Sequence, residues 1–181
     1  TRNEAPETFD YAKMDQRVKE FEQGVEILSR AKQEGVEVDA SQLGKFAQGE
    51  GAKVGQALLE WAHIVDNPKL VKAIENAYGF DANTSGALKG EALLKGIVEG
   101  AQKGVSGDVV ARLHERFLEF SQGEGSNLGE YLLGRAFESG SRDLEFVVVT
   151  SYGQNLDSPL GQLLNKGGQL VDRAAGVEAT A

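Results

Sequence analysis

Apolar residues recur along the chain at helical spacing, and the interruptions fall at glycines and prolines. Tyr11, Met14, Val18, Phe21, Val25 and Leu28 step by threes and fours, which places one apolar stripe on a long amphipathic helix. The stripe covers too few heptads for a coiled-coil seam and reads as a helix docked on its own domain. The period returns at Val54, Leu58, Trp61 and Val65. After a stop at Asp66-Asn67-Pro68 it continues at Leu70, Ile74 and Tyr78, with the proline suited to a first helical turn. Further helices are predicted from Leu88 to Ala101, from Val110 to Phe120 with Asp108 as cap, and from Leu128 to Phe137. A last one runs from Leu160 to Ala174, with Ser158 as cap and Pro159 in its first turn. Gly79 and Gly140 read as helix stops, and the residues beyond Gly176 as a frayed tail.

The chain also repeats itself. Residues 46–62 read FAQGEGAKVGQALLEWA and residues 120–136 read FSQGEGSNLGEYLLGRA, identical at nine of seventeen positions. The offset of 74 persists downstream, where Leu70, Tyr78 and Gly79 meet Leu144, Tyr152 and Gly153. Upstream, with a small gap, Ile27, Ala31, Gly35 and Val36 meet Ile97, Ala101, Gly104 and Val105. A repeat dictates architecture, so the expected fold is an all-α bundle of about eight or nine helices in two tandem similar halves. The expected organisation is an N-terminal helix over 1–35, a first half over 36–105, a second half over 106–175 and a tail over 176–181. The register lays Phe146-Val147-Val148-Val149-Thr150 over the helix ending at Tyr78. That predicts a helix where propensity alone favours a strand.

A finer echo divides the halves into four helix-loop-helix units. Gly55-Gln56-Ala57-Leu58-Leu59 recurs at Gly90, at Gly129 and, shortened, at Gly161. Glycine lowers helix propensity by about 1 kcal/mol relative to alanine, so close approach between helices is expected at these four positions. An aromatic lies eight positions before a branched residue that opens or precedes each motif: Phe46 before Val54, Phe80 before Leu88, Phe120 before Leu128 and Tyr152 before Leu160.

That spacing resembles the EF-hand, whose loop follows an aromatic and carries a branched residue at its eighth position. Phe80, Asp81, Asn83, Ser85, Gly86 and Leu88 stand in EF-hand order. The resemblance implies a calcium site formed by Asp81, Asn83, Ser85 and Glu91. The carboxylate is at the eleventh position, where the family places its bidentate Glu at the twelfth. The other loops offer Ala47, Ser121 and Gly153 in place of the first Asp. A second frame, from Asp39 to Glu50, puts Leu43 at a ligand position, and Asp39 with Gln42 reads instead as a helix-capping pair.

Composition narrows the chemistry. Nineteen Lys and Arg against 28 Asp and Glu give a net charge of −9, five of the excess acids falling in residues 1–100 and four beyond. Nucleic acid is therefore not an expected partner. No run of eighteen apolar residues marks a membrane span, and the charged opening has no signal-peptide core, so a soluble protein is expected. The absence of cysteine removes disulfides and thiol chemistry. The loops at Gly49–Gly55 and Gly123–Gly129 lack the preceding strand and the spacing of a dinucleotide loop, and their glutamates would repel a pyrophosphate. His63 and His114 do not match under the repeat and show no metal-binding spacing.

The leading expectation is a noncatalytic structural or protein-interaction protein, a component of a larger assembly, with a protein partner or self-assembly and no cofactor. An EF-hand-like regulatory module is the alternative. A hydrolase using Glu50 and Glu124 as paired carboxylates is a third.

Overall fold

The computed structural model describes residues 11–34 and 37–174. Among these, every regular element is a helix and no strand is present. The order is α1 (Tyr11–Gln33), α2 (Ala40–Gln48), α3 (Gly55–Ile64), α4 (Pro68–Tyr78), α5 (Ala82–Gln102), α6 (Gly107–Gln122), α7 (Gly129–Ser139), α8 (Arg142–Tyr152) and α9 (Pro159–Ala174). The tail expected over 176–181, the first ten residues of the N-terminal segment, and the repeat matches at Gly35 and Val36 lie outside the described residues.

Local chemistry sets most helix ends. The Asn67 side chain accepts from the Leu70 amide at 3.2 Å with Pro68 opening α4, and Ser158 Oγ accepts from the Gly161 amide at 3.0 Å with Pro159 opening α9. Asp39 Oδ1 accepts from the amides of Ser41 and Gln42 and so caps α2. These bonds satisfy amides that have no partner within the helix. Gly79 and Gly140 close α4 and α7 with φ of 69° and 70°, a left-handed conformation cheap only without a Cβ. One cap differs from expectation: α6 begins after Ser106, and Asp108 sits inside its first turn, where it favours the positive end of the helix dipole.

The chain divides into two compact units, Thr1–Asp81 and Ala82–Ala181. In the first, α3 and α4 form a hairpin on which α2 packs, and α1 lies against α2 and α3. Leu28, Leu43, Leu58, Leu59 and Ile74 are fully buried, each such side chain contributing about 1.5–3 kcal/mol relative to exposure. Only the C-terminal part of the α1 stripe is covered. Leu28 and Ala31 are buried, whereas Met14 and Val18 are exposed.

In the second unit, α5 packs on α6, and α7 with α8 forms a hairpin closed by α9. Its core gathers Leu93, Leu94, Ile97, Phe117, Phe120, Leu132, Val148 and Tyr152. The valine-rich segment is the helix α8. Val147 and Val148 are buried, the Ser141 side chain caps the first turn, and the Thr150 hydroxyl donates to the Phe146 carbonyl at 2.8 Å. Packing of its inner face outweighs the strand propensity of its β-branched residues.

Candidate functional site

The repeated segment builds an aromatic-glycine clasp in each unit. In the first, Phe46 lies in the last turn of α2 and the chain folds back on its ring. The Gly49 and Gly51 amides both donate to the Phe46 carbonyl, at 3.2 and 2.7 Å, and the Val54 amide donates to the Gly51 carbonyl at 3.2 Å before α3 begins. Gly51 lies so close to the Phe46 ring that a methyl group there would overlap it. The Tyr78 hydroxyl reaches back from the end of α4 and donates to the Gly51 carbonyl at 2.7 Å. Its ring covers Gly55, where a methyl group would approach Cδ1 to 2.5 Å.

In the second unit the Gly123 and Gly125 amides donate to the Phe120 carbonyl at 3.3 and 2.8 Å, and the Leu128 amide to the Gly125 carbonyl at 2.9 Å. The Tyr152 hydroxyl donates to the Gly125 carbonyl at 2.6 Å, and its ring covers Gly129. Each tyrosine lies 27 residues beyond the carbonyl it meets. Burial pushes the Tyr78 phenol up to about 12 and the Tyr152 phenol further above its ordinary range. Both stay protonated donors at neutral pH and act as struts.

The close approaches expected at the repeated glycines are present at three helix crossings. Gly55 meets α4, Gly129 meets α8 and α9, and Gly90 meets Leu132 of α7 and Phe120 of α6. Gly161 differs, since its neighbour is the Asn155 carbonyl of the preceding turn.

The residues singled out for chemistry are placed as follows. Glu50 and Glu124 sit on the exposed turn of their respective clasps, and Glu124 pairs with Lys89 Nζ. Asp81 precedes α5, while Asn83, Ser85 and Glu91 belong to that helix rather than to a loop. A helical backbone turns Asn83 and Ser85 to different sides: Asn83 is exposed and Ser85 buried. Glu91 accepts from Arg135 Nε at 2.8 Å and from the Tyr131 hydroxyl at 3.4 Å. No group of three or more His, Asp or Glu able to hold a metal occurs among the described residues. His63 is buried and His114 exposed.

Two features that periodicity did not single out involve α4 and α8, whose sequences the repeat register lays over one another. In the first unit a cavity of about 510 Å³ opens beside α4, and Ala31, Val38, Ala40, Leu70 and Ala73 give its lining an apolar part. Lys69, Lys72, Asn67, Asn76 and Glu37 complete its lining. In the second unit, Phe146 on α8 is 68 % exposed, with Val149 exposed one turn away on the same face and Tyr131 exposed on α7. The repeat register sets Phe146 against Lys72, Val149 against Glu75 and Tyr131 against Ala57. The apolar residues at 146 and 149 in place of charged ones were the signal available in the sequence. No helix among the described residues is long and apolar enough to cross a membrane.

Comparison with known protein families, with curated proteins and with solved structures gives no match to this chain.

Proposed function

We propose that the chain is a noncatalytic interaction protein, built from an internally duplicated helical scaffold and working as a component of a larger assembly through the outer faces of its helices. The duplication rests on the nine shared residues at offset 74 and on the matching amide and tyrosine hydrogen bonds of the two clasps. The observation that carries the functional reading is Phe146, a large apolar side chain 68 % exposed where the related helix of the first unit has a lysine. The same helix is thus built with a charge at that position. The aromatic ring is not needed to form it, and its apolar area contributes once a partner removes it from water. Aromatic anchors of this kind dominate the energetics of protein interfaces.

The test is photo-crosslinking from the native source, with a crosslinking amino acid placed at position 146 or at position 72. Mass spectrometry should identify defined protein neighbours joined through position 146 and far fewer through position 72. Equal recovery from both positions, or none from 146, overturns the reading.

A further inference from the structure

We infer that the chain docks head to tail on a second copy of itself, the α8 face around Phe146 of one copy seating in the first-unit cavity of the next. The inference rests on the interaction-protein reading above and names the partner. The repeat places two related helical faces on one chain and gives them opposite character. Beside α4 the face borders a hollow with a partly apolar lining that includes Lys69 and Lys72. On α8 the same positions carry Asp143 and the projecting Phe146.

The two surfaces match in size and in the sign of their charges. The cavity, at about 510 Å³, falls within the range of roughly 300–1,000 Å³ typical of pockets that enclose a ligand, ample for one phenylalanine ring with Val149 beside it. Asp143, exposed one turn before Phe146, carries the charge that the lining lysines Lys69 and Lys72 attract, and Arg142, exposed one turn before Phe146 as well, can answer Glu37 of the same lining. Knob and hollow are different surfaces, so every copy carries one of each and the contact pairs unlike faces. A contact of that kind is heterologous and propagates into a ring or an open chain.

Sedimentation velocity over a wide concentration range tests this. The wild-type protein should form concentration-dependent oligomers that weaken as salt is raised. Phe146→Lys and the double variant Lys69→Glu/Lys72→Glu should each raise the dissociation constant by roughly tenfold or more. All these side chains are exposed, and Val149→Glu serves as a second knob variant should Phe146→Lys fail to fold. Mixed together, the knob-defective and hollow-defective chains should form one-to-one dimers that grow no further, because each retains the half the other lacks. A wild-type chain that stays monomeric, variants that associate like wild type, or a mixture that yields no dimer overturns the inference. A monomeric chain that still crosslinks to other proteins through position 146 would overturn the self-docking alone and leave the assembly reading standing.

Discussion

The clasp at Phe46, Gly51 and Tyr78 and the clasp at Phe120, Gly125 and Tyr152 make the same hydrogen bonds in different surroundings. Tyr78 is half-buried and stacks on Phe80, the ring centroids 5.7 Å apart and the planes 8° from parallel. Tyr152 is fully buried, meets the edge of Phe117 at 6.1 Å, and shares Gly129 with Leu160 of α9. The turn that follows it is tied down as well, since Asn155 Nδ2 donates to the Ser121 carbonyl at 3.0 Å. Short-range chemistry therefore builds the clasp, whereas elements outside the repeated segment decide how deeply it is buried. The outer faces separate in the same way. Lysine and glutamate line the exterior of α4, and phenylalanine and valine occupy those positions on α8.

Substitutions at paired positions test how far the two clasps differ. The largest effect is expected for Tyr152→Ala, at roughly 3–5 kcal/mol as for other fully buried aromatics, with a smaller loss for Tyr78→Ala. Urea unfolding of the two variants measures both, and equal losses would abolish the distinction in burial. Gly129→Ala and Gly55→Ala come next. A methyl group at either site meets a tyrosine ring and should cost about 1–3 kcal/mol as overpacking, in contrast to the gain alanine brings at an open helical site.

Removing only the hydroxyl is milder. Tyr152→Phe leaves the Gly125 carbonyl without its donor in a buried place and should cost about 1–3 kcal/mol, while water can replace the Tyr78 hydroxyl more readily, so Tyr78→Phe costs less. The same asymmetry has a pH signature. Both phenols are raised in the fold, so above pH 10 the unfolded chain releases tyrosine protons that the folded chain keeps. Stability is therefore intact below about pH 10 and falls as the pH climbs toward the folded values, near 12 for Tyr78 and higher for Tyr152. Following phenolate absorbance during alkaline titration should show Tyr78 ionising first. Tyr152→Phe should remove the most alkaline step. The smallest effect is expected from calcium. With Asn83, Ser85 and Glu91 spread along α5 and Glu91 already bonded to Arg135, excess calcium should leave the melting temperature unchanged, and a clear rise would restore the EF-hand reading.

Much of the helical architecture was legible along the chain. The proline at the start of α4, the cap at Ser158, the stops at Gly79 and Gly140 and the apolar periods of α3 to α7 are interactions among residues at most a few positions apart. Other features were legible only through the repeat. Phe146 to Tyr152 has strand propensity, and the register with Lys72 to Tyr78 was what pointed to helix. The outward phenylalanine was in principle visible from that register too, as an apolar residue opposite a lysine. Its exposure was not, because periodicity cannot tell a buried apolar position from an uncovered one.

Near neighbours along the chain were enough to set the helical character of the described residues, most of their caps and stops, and the recurrence of one glycine-rich segment. Tertiary structure alone decided which tyrosine hydroxyl meets which carbonyl 27 residues away, and that Glu91 bonds to Arg135 across two helices. It also decided that Met14 and Val18 stay outside the core while Leu28 enters it. Those outcomes depend on which faces remain to be covered once the helices pack, and no local pattern encodes that.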